Sequence, residues 1–251
     1  MAAAAVGALA ALGALVGSFL NVVVHRLPRG QSVVRPRSRC PGCATQLAGR
    51  DNVPVVSWLV LRGRCRFCGM AIPARYPLVE LLTAAAFGAV VAVRGLDAHL
   101  IWELPFVAVL ISTAAIDLEH RIVPNRIVAP AAVLALASAI ALRPDDLLEL
   151  AGAGAGAFLF LLLAALARPG GMGMGDVKLA GVMGLFLGIS VIPALLIAFL
   201  AGTAVGVAIM TRGGLAERKR AVPFAPFLAL GGVLAVVVGP ELVELYSDRF
   251  L

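Results

Sequence analysis

Apolar residues run along this chain in long, nearly unbroken stretches separated by short polar connections. Eight such stretches are visible, at 2–24, 78–93, 99–116, 127–142, 147–167, 177–190, 192–211 and 222–240. Most approach the length of about 20 residues that a helix needs to cross the hydrocarbon core of a bilayer. Backbone in lipid must satisfy its own hydrogen bonds, which favours helices over isolated strands. The pattern predicts an all-α polytopic membrane protein of about eight transmembrane helices. The third stretch carries Glu103, and the sixth and seventh form one run in which Gly188 to Pro193 offers a turn. If that run were a single helix, the count would fall to seven. The first stretch lacks the basic leading region of a cleaved secretory signal and reads as a retained span.

Only one interval is both long and polar, residues 25–76. It divides the chain into a first helix (1–24), a cytoplasmic loop domain (25–76) and a seven-helix membrane domain (77–251). Composition strengthens the membrane reading: 61% of the 251 residues are hydrophobic, against about 45–50% in soluble domains. Charge then orients the chain. With eight spans and the N-terminus outside, 18 of the 21 Lys and Arg fall in inner loops, including Arg121, Arg126, Arg168, Lys178, Arg212, Arg218, Lys219 and Arg220. Only Arg94, Arg143 and Arg249 fall outside. This is the positive-inside bias, and an odd number of spans would spoil it. The net charge of +7 is therefore a topology signal beside anionic lipid, with no nucleic acid implied.

The polar interval holds all four cysteines, as Cys40-Pro-Gly-Cys43 and Cys65-Arg-Phe-Cys68, with 21 residues between the pairs. Two C-x-x-C turns at this separation suit a structural zinc site of four thiolates, closed to catalytic water. Gly42 and Gly69 are expected to relieve crowding at the turns, and Arg39, Arg64 and Arg66 to offset the thiolate charge. The alternative is two disulfides or four unrelated thiols, and disulfides are rare in the reducing compartment where charge places the loop. Trp58 and Trp102 read as interfacial anchors.

No serine-nucleophile elbow or H-E-x-x-H motif is present. Carboxylates remain, and those at membrane depth matter most because burying charge in lipid is costly. Asp117 ends the third span in Ile116-Asp117-Leu118-Glu119-His120-Arg121. Asp176 opens the sixth after Gly171-Met172-Gly173-Met174-Gly175. Both fall at inner helix ends. Two carboxyls in a poorly hydrated site share a proton, and one can activate water while the other polarises a peptide carbonyl. The bland alternatives are an Asp117–Arg121 pair and an Asp176 N-cap. Gly173, Gly175 and Lys178 are possible supporting residues. So is Glu80, which is at least as well suited to pairing with an arginine or with Lys178.

These residues, in order, resemble the bacterial type IV prepilin peptidases, leader peptidase/N-methyltransferases of the GxGD type. The resemblance runs through Gly17-Ser18-Phe19-Leu20-Asn21-Val22-Val23, His25-Arg26-Leu27-Pro28 and the two cysteine pairs. It continues through Arg75-Tyr76-Pro77-Leu78-Val79-Glu80-Leu81-Leu82-Thr83, Ile116-Asp117, Val123-Pro124-Asn125 and Gly173-Met174-Gly175-Asp176-Val177-Lys178-Leu179. It implies that Asp117 and Asp176 are the catalytic aspartates. The implied substrates are prepilins or type II secretion pseudopilins, cut after Gly behind a short basic leader at the cytoplasmic face of the bacterial inner membrane. It also implies N-methylation of the new terminus with S-adenosylmethionine, for which no nucleotide-binding fingerprint is visible. The family often has Asp where this chain has Asn125, which leaves Asp117 as the partner of Asp176. A peptidase without methyl transfer, or a transporter or assembly scaffold using the aspartates as a proton relay, are the rival readings.

Overall fold

The computed structural model describes residues 2–168, 170–213 and 222–250, with the side chains of 212, 213, 240, 244 and 246–250 left aside. Arg218, Lys219 and Arg220, and the side chains of Arg212 and Arg249, all used in the charge count, lie outside the described residues. The described chain is helical, without a strand beyond two isolated bridges. It divides into two compact units, residues 1–98 and 99–251.

The first unit contains α1 (Ala2–Arg26), the short α2 (Val56–Val60) and α3 (Arg75–Arg94). Grouped by sequence with the later helices, α3 in fact packs along α1. The reason is a pair of glycines four residues apart. A Cβ on Gly13 would lie 2.6 Å from the Thr83 carbonyl oxygen, and one on Gly17 would lie 2.7 Å from Glu80 Cα. Small residues at this spacing let two membrane helices approach to backbone contact. Between α1 and α3 runs the cysteine-bearing loop.

The second unit holds α4 (Leu100–His120), α5 (Asn125–Leu142), α6 (Leu147–Ala167), α7 (Met174–Leu187), α8 (Val191–Gly213) and α9 (Ala225–Phe250). Its core includes Phe106, Leu110, Ile116, Leu179, Met183 and Leu228, all fully buried, with Phe106 stacked on Phe186 at 4.5 Å. Glu103 does not interrupt α4, and its carboxylate lies 3.7 Å from His99.

The expected turn in the long apolar run is present. Gly188–Ser190 forms a single tight turn, entered through Gly188 at φ +57°, and the Glu149 carboxylate accepts the Ile189 N–H at 3.0 Å. The chain reverses there. Gly232 of α9 faces Met183 of α7, and Gly239 faces Ser190, so the two helices run the same way. Going on along α8, Ala194 meets Gly231 and Gly202 meets Phe227, so α8 runs back along α9. Eight long helices result among the described residues. Six stretches meet the length and hydropathy of a membrane span, Met174–Thr211 counting as one, while Ala225–Gly239 is shorter. Leu15, Phe19, Leu163, Ile192 and Leu200 project outward with more than half their surface uncovered. Soluble monomers seldom expose so much apolar surface. The chain is a multi-pass membrane protein.

Candidate active site and cysteine cluster

Three helix ends meet in the second unit. Asp117 sits in the last turn of α4, which stops at Arg121 in the left-handed conformation (φ +54°). The chain then runs extended through Val123 and Pro124 into α5. Gly175 lies against that strip: a Cβ there would stand 2.7 Å from Val123 Cβ. Only glycine lets the start of α7 pack so closely. Asp176 follows in the first turn of α7.

Asp117 and Asp176 are buried, at 6% and 8% exposure, and close enough to interact electrostatically. Their surroundings differ. Oδ2 of Asp117 accepts the N–H of Ala225, 3.1 Å away and 108 residues later. Ala225 is the first residue of α9, so Asp117 caps a helix from another part of the chain, where an anion is favoured. The Gly173 backbone hydrogen-bonds the Asp176 carboxylate, but its Oδ1 is buried with no hydrogen-bond partner among the described residues. Such an atom costs free energy unless something occupies the space beside it.

One of the bland readings does not hold, while the other, Asp117 beside Arg121, has an electrostatic interaction behind it. Asp176 is not the N-cap of α7; that position is Gly173, which has no side chain to cap with. Lys178 donates to Asn125 Oδ1 at 3.1 Å, tying α7 to α5 a turn from the aspartates. Among the described residues Glu80 makes no ion pair with a lysine or arginine, the pairing anticipated for it. In the first unit its Oε2 accepts the Val55 N–H at 2.7 Å. The Ala225 donor was missed because residues 222–240 read simply as a span. The available signal was Pro226, a residue favoured in the first turn of a helix.

In the first unit the four cysteines converge, their sulfurs all within 4.8 Å of one another and those of Cys40 and Cys68 3.7 Å apart. Tetrahedral ligands each about 2.3 Å from a metal would have this spacing. The two turns repeat one plan. Cys40 N–H donates to Thr45 O and Ala44 N–H to Cys40 O; Cys65 N–H donates to Met70 O and Gly69 N–H to Cys65 O. The positive-φ position is Ala44 (+55°) in one and Gly69 (+69°) in the other. Gly42 therefore serves a different purpose from the one anticipated: a Cβ there would strike the Met70 sulfur. Trp58 belongs to this loop core, since its indole N–H donates to Ile72 O at 3.0 Å.

Charge on the bare cluster is unevenly held. Hydrogen bonds from Thr45, side chain and backbone, lower the Cys43 thiol to about 6. Cys65 is lowered by the backbone N–H groups of Cys68 and Phe67. The Met70 backbone lowers Cys68, but desolvation and the three neighbouring sulfurs push it up to about 11. Four thiolates cannot crowd together without a cation among them, and the donor set can hold a metal.

Comparison with known proteins agrees with this architecture. The Bacterial Peptidase A24 N-terminal domain matches residues 11–94, and the Type IV leader peptidase family matches residues 104–207. A Myxococcus xanthus protein is 41% identical over 209 residues, covering 81% of this chain and 62% of its own length. A Bacillus subtilis protein is 36% identical over 242 residues, 95% of this chain and 96% of that one. A Pseudomonas aeruginosa protein is 34% identical over 264 residues, 94% and 91%. Each is named a prepilin leader peptidase/N-methyltransferase. No solved structure matches the chain significantly.

Proposed function

The chain belongs to the type IV leader peptidase family and is an enzyme of prepilin processing, a peptidase with methyltransferase activity; on that premise we propose that Asp117 and Asp176 are its proteolytic pair. The observation that supports this most directly is the asymmetry between them. Asp117 is held by a backbone N–H from α9, while Asp176 keeps one buried oxygen without a hydrogen-bond partner among the described residues. Two carboxyls so close divide the work of acid and base. The ionised carboxylate of the pair takes a proton from water, whose oxygen attacks the scissile carbonyl carbon. The partner carboxyl gives its proton to the carbonyl oxygen. As the tetrahedral intermediate collapses, the C–N bond breaks and the leaving amine receives a proton.

The substrate in this reading is a prepilin or pseudopilin whose apolar helix lies in the bilayer. Its basic leader stays at the cytoplasmic face of the inner membrane, a sidedness that the positive charge of the loops supports. The four cysteines hold zinc, which fixes a loop with few large apolar groups. S-adenosylmethionine supplies an electrophilic methyl group for the new terminal amine.

The test is cleavage of a purified prepilin, followed by the mass of the processed N-terminus with and without S-adenosylmethionine. Asp117→Asn and Asp176→Asn should each lower cleavage by about 10²–10⁴, the usual worth of a general acid or base, with helical content unchanged. Cleavage at the wild-type rate by a well-folded Asp176→Asn protein would refute the pair.

A further inference from the structure

Exposed apolar side chains on the long helices need no special partner, because lipid tails cover them. The polar loop of the first unit is different. Its helix α2 is five residues long, far short of the about 20 that cross a bilayer. Yet Val56, Leu59 and Val60 are each more than half exposed. They stand three and four residues apart, on one face of the helix. Phe67, between Cys65 and Cys68, is likewise more than half exposed.

The opposite face of α2 is tied down. Ser57 is buried, and its hydroxyl donates to the Arg50 carbonyl at 2.9 Å. The Trp58 indole N–H donates to Ile72 O at 3.0 Å. Its ring packs on Gly63, where a Cβ would come within 2.9 Å of it. These contacts fix the rotation of α2, so the helix cannot roll to bury its two valines and leucine. A serine is turned inward and three aliphatic side chains outward, the reverse of what water favours. An exposed apolar patch rimmed by polar residues marks a protein or membrane contact.

Charge decides between those partners. Residues 27–74 hold eight arginines and a single acid, Asp51, which is paired with Arg66. Arg50 precedes α2, and Arg62 and Arg64 follow it, all three exposed. This surface repels the basic leader of the substrate proposed above, and it repels the same loop of a second copy. It attracts an anionic surface. The loop is also joined at both ends to membrane helices, since α1 ends at Arg26 and α3 begins at Arg75, which keeps lipid headgroups within its reach. An apolar helix face beside basic residues is the pattern of elements that lie in the membrane interface.

We propose that the Val56–Leu59–Val60 face of α2 seats the cysteine loop on an anionic lipid surface, with Arg62 and Arg64 on the headgroups. The apolar face supplies the insertion, and each arginine favours the anionic surface by about fivefold. The inference needs only that the chain is a membrane protein, and it is independent of the proteolytic roles of Asp117 and Asp176.

The test uses the full chain in nanodiscs of phosphatidylcholine, alone or mixed with phosphatidylglycerol. The photoreactive p-benzoylphenylalanine is placed at Leu59, and its adducts are identified by mass after irradiation. The expected product is a lipid adduct, about fivefold or more abundant in the anionic discs. It should fall toward the neutral level in 1 M salt, where charges are screened beyond about 3 Å. Arg62→Gln together with Arg64→Gln should lower the adduct in anionic discs by about tenfold or more, with the loop's resistance to chymotrypsin in neutral discs unchanged. The comparison of lipids involves neither of those changes, so it decides the matter even where the double variant misfolds. Without the photoreactive group, amide exchange over residues 56–60 should be slower in the anionic discs. Adducts to prepilin, to a second copy or to residues 99–251 of the same chain, in place of lipid, would overturn the proposal. So would lipid adducts equally abundant with and without phosphatidylglycerol.

Discussion

The cysteine cluster and the aspartate pair are built on opposite plans. The cluster comes from two short turns of one loop, each closed by backbone bonds spanning five or fewer residues. The aspartate site exists only when the ends of α4 and α7 meet the start of α9, and its hydrogen bond spans 108 residues. The first depends on local geometry and on the ion proposed to bind there, the second on helix packing throughout its unit. The two sites should therefore fail separately.

The largest expected separation comes from the metal. Zinc bound by such turns is worth about 10–16 kcal/mol of folding free energy in isolated peptides. Cys65→Ser, or exhaustive chelation, should unfold the 27–74 loop, seen as rapid proteolysis within it, while the helices of the second unit keep their protection. Simultaneous collapse of both units would break the contrast.

Next in size is the long-range bond. Ala225→Pro removes the N–H that Asp117 accepts, at a position where a helix tolerates proline. A hydrogen bond to a charged group is worth about 1.5–3 kcal/mol, so kcat for prepilin cleavage should drop about 10- to 100-fold with the fold intact. Unchanged kcat would mean that the pair needs no help from α9.

The same contrast explains what could be read in advance. The cysteine spacing of C-x-x-C is a local code, and the turns follow from it. The helices were visible because apolar runs in lipid have few other conformations, and Gly188 marked the reversal because its positive φ favours glycine. Asp117 and Asp176 stood out as costly carboxylates. Their neighbours did not: which N–H reaches Asp117 depends on the register of α9, and no periodicity reports that. Glu80 misled for a related reason. A buried carboxylate near many arginines suggests an ion pair, but the backbone N–H of strained Val55 lies nearer. Trp58 looked like a membrane anchor because its indole N–H finds its partner, Ile72, only once the second turn has folded.

Helix packing itself can be probed at glycines of one interface. A Cβ on Gly184 would stand 2.5 Å from the Ala153 carbonyl oxygen, backbone that cannot move aside, whereas Gly152 and Gly156 of α6 face open space. Gly184→Ala should destabilise the second unit by about 1–3 kcal/mol, the usual cost of overpacking, read as a lower melting temperature in detergent. Gly156→Ala should be neutral or slightly stabilising, since alanine is the better helix former. Equal effects at the two positions would refute the α6–α7 contact.

The smallest effect belongs to the ion pair inside the cysteine loop. Arg66 Nη2 lies 2.7 Å from Asp51 Oδ1, and hydrogen bonding to Arg66 holds the Asp51 carboxyl below its ordinary value. A group lowered in the folded state stabilises above its unfolded pKa, about 3.9 for aspartate, and loses that contribution as pH falls through the lower folded value. Asp51→Asn should therefore cost the loop the same small amount at pH 6 and pH 8. The difference from wild type should narrow only in acid. The Arg66 side chain is 40% exposed, although that of Asp51 is only 3% exposed, so salt still reaches the pair and its contribution is small; resistance of the loop to proteolysis should change far less than in Cys65→Ser. A loss in Asp51→Asn as large as that of Cys65→Ser would mean that charge pairing, and not the metal, holds the loop together.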